Sequence, residues 1–402
     1  MKDKALWLFT RQFPQGKGEA FLESALPVWA ECFGEVRVIP MFPGDGAVAL
    51  PAGVREQRLW TDAFATAAPG RSLAALPELL SVMRQRTEGV PFRAAELPEA
   101  LSHARQLLRR ADLVERTLLP DHDPQRVVLL STWMEDWVSV LGLLRGRHPQ
   151  LHFSTMAHGW DLYEHRRPDG RIPYRAAQMR QVDRVLCISD PGAAHLAHRF
   201  PAMAHKVHIT HLGTQDHGAG PWSPGDALRV VSCAYLRSPK RIDRLARALA
   251  LIDRPVHWTH FGDGPDMPAL RAVVATLPPH VQVDLPGSVT NAEVLEHYRS
   301  RPVDLFALLS DDEGVPVSLM EAASFGIPLL ANDVGGVRAV VTPASGVLLP
   351  ADADERNIAT GALDAARRSA DPAGRAAVRA FWREQFEAER NYRSIAALLC
   401  TH

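Results

Sequence analysis

Four cysteines are spread through 402 residues, and no two share the Cys-x-x-Cys spacing of a metal knuckle or a dithiol redox centre. Cys32, Cys187, Cys233 and Cys400 lie far apart, three of them beside apolar runs, so they read as reduced core thiols of a cytosolic protein. No stretch approaches the roughly 18 continuous apolar residues that span a bilayer. The start, Met1-Lys-Asp-Lys-Ala-Leu-Trp-Leu-Phe9, lacks a long apolar region and a small-residue cleavage site, and so reads as a first strand. An excess of one charge is also missing: 45 basic against 46 acidic residues give a net charge of -1. No global field attracts nucleic acid or an anionic membrane, and no nucleic-acid partner is expected. No strand candidate is followed by a Gly-x-Gly-x-x-Gly turn with an acidic residue about 20 positions on, as a dinucleotide-binding oxidoreductase requires. His195, His198, His205, His208 and His211 recur at three-residue spacings without a His-Glu-x-x-His arrangement, so they read as surface or loop residues and no metal is expected.

The remaining composition, 46% hydrophobic and 23% charged, is that of an ordinary globular protein. A chain of this length fits two domains of roughly 150 to 200 residues each. Short apolar runs alternate with amphipathic stretches in both halves, which predicts α/β layers around parallel sheets. Strands are expected at 5–10, 35–40, 126–131, 152–157 and 184–188, then at 228–233, 256–261, 281–285, 303–309 and 328–331. Between the two sets, residues 213–225 are rich in Gly and Pro and read as an interdomain linker. The segment His103 to Arg116 has the pattern of a basic amphipathic helix; its interleaved acidic residues favour a solvated face over a membrane surface.

The most informative local feature is Ser310-Asp-Asp-Glu313-Gly-Val-Pro316-Val-Ser-Leu-Met-Glu321, set between two apolar runs of the kind that form inner strands. Pro316 suits a first helical position and Gly326 a C-terminal cap. Glu313 is thus expected in the loop at a strand's carboxyl end, and Glu321 one turn into the next helix. Ligands of open α/β sheets bind at such places, and a helix N-terminus there offers N–H groups to a phosphate. Acidic residues near helix starts are common for dipole reasons alone, so either glutamate singly would read as structural.

As a pair, with the Gly and Pro around them, they resemble the Glu-x7-Glu motif of retaining glycosyltransferases, in particular glycosyltransferase family four (glycosyl transferases group 1) with its GT-B fold. That fold implies two Rossmann-like domains whose parallel sheets face each other across a cleft, with a last helix crossing back to the N-terminal domain. The corresponding divisions are 1–215 for the acceptor, 216–373 for the donor and 374–402 for the returning helices. In the family the first glutamate, here Glu313, binds donor-sugar hydroxyls, and the second, here Glu321, binds the ribose. Gly314, Val315, Pro316 and Val317, between them, would contribute backbone to the donor.

Other segments extend the resemblance. Ala234-Tyr-Leu-Arg-Ser-Pro-Lys-Arg241 is similar to the family segment in which an Arg and a Lys five residues later clamp the pyrophosphate. Lys240 matches the lysine, whereas Tyr235 stands at the arginine position, leaving Arg237 or Arg241 as substitutes. Gly262-Asp-Gly264-Pro matches the family's turn beside the nucleotide, and Ser288 falls in the segment whose backbone reads the base. At the position where the family often has Glu after Val-Gly-Gly, this chain has Ala339. In the first half, Gly16-Lys17-Gly18-Glu19 resembles the family's glycine loop, although Lys17 and Glu19 read equally well as surface charges. His158-Gly-Trp-Asp161 resembles the acceptor-side motif, with His158 near the reacting sugar.

The resemblance implies a retaining, metal-independent hexosyltransferase acting by front-side displacement, with an oxocarbenium-like centre near His158 and Lys240 facing the departing diphosphate. It implies no cofactor beyond the substrate, a nucleotide-diphosphate sugar with UDP ahead of GDP. The implied acceptor is a saccharide or lipid-linked saccharide of bacterial surface-polysaccharide synthesis, and the implied location is cytoplasmic with peripheral association at the inner membrane surface. Tyr235 and Ala339 keep open a non-catalytic nucleotide-sugar-binding or scaffold protein of the same fold.

Overall fold

A strand that is apolar on both faces needs cover on both, and helices connecting parallel strands supply it. In this computed structural model, residues 1–401 are described except 17, 47, 60–75, 87–93, 121 and 168–169. Lys17 therefore lies outside the described residues. The chain divides into two compact units, Met1–His211 with Tyr392–His402, and Leu212–Asn391.

In the first unit the order is β1 (Ala5–Thr10), α1 (Phe21–Cys32), β2 (Glu35–Pro40), β3 (Val54–Glu56), α2 (Leu76–Arg86), α3 (Leu97–Leu118), β4 (Val127–Ser131), α4 (Asp136–Arg147), β5 (Phe153–Ala157), α5 (Arg175–Gln181), β6 (Arg184–Cys187), α6 (Asp190–Arg199) and β7 (Val207–Ile209). Among the described residues its sheet runs β3-β2-β1-β4-β5-β6-β7, all parallel. Leu6, Trp7, Leu8 and Phe9 of β1 are fully buried, as an inner strand covered on both faces must be.

The second unit continues with β8 (Leu228–Cys233), α7 (Ile242–Leu249), β9 (Val256–Phe261), α8 (Met267–Val274), β10 (Val281–Gly287), α9 (Asn291–Ser300), β11 (Leu305–Leu308), α10 (Val317–Ser324), β12 (Leu329–Asn332), α11 (Val337–Val340), β13 (Gly346–Leu349), α12 (Glu355–Ala366) and α13 (Pro372–Phe386). Its parallel sheet has the order β10-β9-β8-β11-β12-β13. In each sheet the first strand sits inside, so the strand order reverses beside it, between β1 and β4 and between β8 and β11. Loops leaving the carboxyl ends of these strands diverge and open a crevice.

α14 (Ala388–Cys400) carries the chain back to the first unit. Trp29 donates its indole N–H to Tyr392 O at 3.0 Å, and the Tyr392 hydroxyl donates to Phe21 O at 3.2 Å. The expected division at 374–402 needs correction, because only Tyr392–His402 joins the first unit. α13 stays with the second: Trp382 donates to Thr214 Oγ1 at 2.8 Å, and Arg375 to Val303 O at 2.7 Å. The expected linker is also packed rather than free, since Gly220 N donates to Phe325 O and Trp222 Nε1 to Ser369 O. Both contacts lie in the second unit, whose boundary accordingly falls at Leu212 instead of residue 216. Strands β3, β7 and β13 were not expected; two are three-residue edge strands, too short to leave an apolar run. Among the described residues, no helix is long and apolar enough to cross a membrane.

Candidate active site

The loops after β8 and β11 meet at the second unit's switch point. Asp311 N donates to Pro239 O at 2.7 Å, tying the two loops backbone to backbone. Lys240 Nζ then lies 2.5 Å from Glu313 Oε1, which also accepts from Ser310 Oγ at 2.6 Å. Both charged groups keep partial exposure, 19% for Lys240 and 11% for Glu313, so an incoming ligand can reach them. α10 opens immediately beyond, with Pro316 at the N-cap rather than inside the first turn, and no side chain caps it. Its first N–H groups and positive dipole end suit an anion. Gly326, at φ +76°, ends the helix as expected.

Two glycines explain how the Glu313 loop is held. Gly335 has φ +53°, and a Cβ there would stand 1.9 Å from Glu313 O; at Gly336 it would stand 2.6 Å from Gly314 O. Gly336 N donates to Gly314 O at 2.8 Å, so the loop after β12 supports the glutamate loop from behind. Asn332 Nδ2, donating to Leu309 O at 2.9 Å, fixes the same loop at its start. The Gly262 turn is built similarly: a Cβ would meet Ala234 O at 1.9 Å, and Gly262 N donates to Gly287 O at 2.9 Å. Gly264 would clash with Leu236 O, so both glycines let the β9 and β8 loops touch. Exposed Ser288 follows directly after Gly287.

Tyr235 is 62% exposed and Arg237 is exposed as well. Arg241 adopts a left-handed φ of +49° and reaches Asp311 at 3.3 Å. Glu321, on α10, accepts from Asn291 Nδ2 at 2.8 Å and lies close enough to Cys233 to influence its thiol. Burial chiefly, and Glu321 in addition, push that thiol up to about 12, away from the thiolate form. Val315 is buried as a wedge under the loop.

In the first unit, Glu19 is 2% exposed, which overturns its reading as a surface charge. Its carboxylate accepts from the backbone N–H groups of Arg11, Gln12 and Phe13, from Thr132 Oγ1 at 2.7 Å and from Trp133 Nε1 at 2.9 Å. It holds the loops after β1 and β4 together. Gly16 faces Gln12, where a Cβ would approach to 2.5 Å, whereas Gly18 has open space around it. Asp161, fully buried, accepts from His158 N at 2.8 Å and Met134 N at 2.9 Å. Burial opposes its charge, but the nearby His158 ring, 3.7 Å away, and these two amides outweigh it and hold the carboxyl below its usual range. The His158 ring lies between Trp133, centroids 4.4 Å apart, and Phe21 at 4.9 Å.

The structure thus brings Lys240, Glu313, Gly314 and Pro316 together in one unit, and Glu19, His158 and Asp161 together in the other. Ser310, Asn291, Asn332 and Trp133 escaped the sequence reading. Trp133 had a usable signal, since it follows an expected strand next to the switch point.

Residues 221–367 match the family model described as glycosyl transferases group 1. WcaL of Escherichia coli K12, named for colanic acid biosynthesis, is 27% identical over 221 residues, 52% of this chain and 53% of that one. A GDP-mannose-dependent alpha-mannosyltransferase of Mycolicibacterium smegmatis is 30% identical over 183 residues, 44% and 46% of the two chains. The chain spans about half the length of the curated relatives it matches. Among solved structures, the lipopolysaccharide outer core galactosyltransferase WaaB superposes with a TM-score of 0.65 at 15% identity, covering 98% of this chain and 99% of that one. Anabaena Alr3699/HepE, solved with UDP and glucose, gives 0.61 at 16% identity with the same coverage. The fold is the GT-B fold expected from the sequence.

Proposed function

With residues 221–367 forming a glycosyl transferases group 1 domain, we propose that the chain is a retaining glycosyltransferase of bacterial surface-polysaccharide synthesis. It moves a sugar from a nucleotide-diphosphate donor, UDP ahead of GDP, to a saccharide or lipid-linked saccharide. The observation that carries the proposal is the Lys240–Glu313 pair beside the uncapped start of α10, at the second unit's switch point. A diphosphate needs cations or N–H groups to bind and to depart, and this place supplies both. Lys240 would leave Glu313 for the phosphates, freeing the carboxylate to accept from donor-sugar hydroxyls, while Glu321 takes the ribose. In the front-side step, the bond from the anomeric carbon to the diphosphate oxygen breaks as the acceptor oxygen bonds to the same face. The acceptor proton passes to the departing phosphate oxygen. Transfer needs no metal in this scheme, because Lys240 and the helix N-terminus meet the developing charge.

The first unit, through His158, Asp161 and the Gly16–Gly18 loop, takes the acceptor side. A lipid-linked acceptor would put the protein peripherally at the cytoplasmic face of the membrane. A panel of UDP- and GDP-sugars tested for hydrolysis and thermal stabilisation checks the donor: at 100 times its dissociation constant, the right one adds about 2.7 kcal/mol. Tight binding without turnover for any acceptor would favour the non-catalytic alternative, which Tyr235 and Ala339 motivate.

A further inference from the structure

A cavity of about 250 Å³ in the first unit plays no part in the donor chemistry, and Trp133 forms one of its walls. His158 packs on the same residue, with ring centroids 4.4 Å apart, so Trp133 touches both the cavity and the residue assigned to the acceptor. We propose that the cavity receives a hexose unit bearing a carboxylate, as part of the acceptor; this rests on the glycosyltransferase reading.

Three features of the cavity carry the assignment. Its volume equals that of about eight waters, which suits one pyranose ring rather than a run of them. Phe9, Phe42, Trp133 and Trp137 line it, offering rigid faces on which the C–H side of a sugar ring can lie. The indole N–H groups are already engaged, Trp133 with Glu19 at 2.9 Å and Trp137 with Thr10 O at 2.8 Å. Those two rings therefore contribute stacking, and polar recognition falls to the charged rim.

Among the described residues that line the cavity, Arg11 and Arg167 stand against Glu135 and Asp136, but the pairing is uneven. Glu135 sits between two guanidiniums, 2.8 Å from Arg11 and 2.6 Å from Arg167, so one carboxylate answers two positive charges. Asp136, the other acid lining the cavity, is met separately by His103 at 3.0 Å and Arg110 at 3.7 Å. The arginines are also oriented in advance: Arg167 lies 4.5 Å over the exposed Trp160 ring, and Arg11 6.0 Å over Phe42. Neutral hydroxyls have no need of two guanidiniums sharing one carboxylate, whereas a second carboxylate can accept two parallel N–H bonds from either. An acidic sugar would thus complete a charge pattern that Glu135 half fills.

Isothermal titration of the full chain with methyl β-glucuronide and methyl β-glucoside tests this, with orthophosphate as a competitor. The glucuronide should bind about tenfold more tightly than the glucoside, the scale of one charge-assisted hydrogen bond. Arg167→Gln should abolish the preference, and Glu135→Gln, which removes the internal competitor, should strengthen glucuronide binding. Opposite signs in these two variants separate recognition from general damage to the fold. Equal binding of both sugars, binding of neither, a preference surviving in both Arg167→Gln and Arg11→Gln, or orthophosphate competing as tightly as the glucuronide would overturn the proposal. Nucleotide-sugar hydrolysis is measured alongside. Hydrolysis without a charge preference sinks this inference alone, whereas absence of both nucleotide-sugar binding and hydrolysis sinks the reading beneath it.

Discussion

Glu19 in the first unit and Glu313 in the second both sit in loops at the carboxyl ends of strands flanking a switch point, yet their surroundings differ. Glu19 is sealed from solvent and ringed by donors of the protein itself, mostly backbone N–H groups. Glu313 keeps some exposure and faces a lysine, a partner that a phosphate can draw away. The same residue type at the same topological place is thus a fastener in one unit and a ligand-facing group in the other. Burial and the nature of the donors separate the roles, and neither is visible in a motif.

The comparison can be broken most decisively at Glu19. Glu19→Ala leaves buried donors unsatisfied and should cost about 3–5 kcal/mol in urea denaturation, whereas Glu313→Ala should cost about 1 kcal/mol. Equal costs would erase the distinction. Next in size, Lys240→Met should lower turnover about 100-fold with little loss of stability, as measured by donor hydrolysis and thermal melting.

Buried His260 sharpens the contrast through pH. Burial pushes its ring down to about 4, with the nearby Ala234 carbonyl opposing. The neutral ring is tolerated at high pH, so its stability is complete above the unfolded value near 6.5 and is lost as pH falls toward about 4. This window of about 2.5 pH units corresponds to about 3 kcal/mol. His260→Gln should flatten stability across it. Asp161, held below the usual carboxylate range, acts at lower pH: its contribution is present above about 4 and disappears as pH falls through its folded value, so Asp161→Asn should flatten the acid limb there. The smallest effect concerns Arg241, whose left-handed backbone disfavours a side chain; Arg241→Gly should gain about 0.5–1 kcal/mol in melting experiments.

Much of this architecture was legible because strands covered on both faces leave runs such as Leu6-Trp-Leu-Phe9 and Leu305-Phe-Ala-Leu308. The three-residue strands β3 and β7 left no such runs, β13 left only the short Val347-Leu-Leu349, and helix-like periodicity in α13 said nothing of which unit it joins. The glutamate pair and Lys240 were legible through spacing. Their contact was not, since it depends on the Pro239–Asp311 backbone bond between loops far apart in the chain. Glu19 read equally well as a surface charge or as part of the glycine loop, because two of its donors, Thr132 and Trp133, come from far along the chain.

The account turns on a division of labour between Glu313 and Glu321, and one measurement tests it: nucleotide affinity and donor turnover compared in Glu313→Ala and Glu321→Ala. Glu321→Ala should weaken binding of the nucleoside diphosphate, while Glu313→Ala should bind it nearly as the unaltered chain does and lose most turnover. Full turnover and unchanged affinity in both variants would contradict the account.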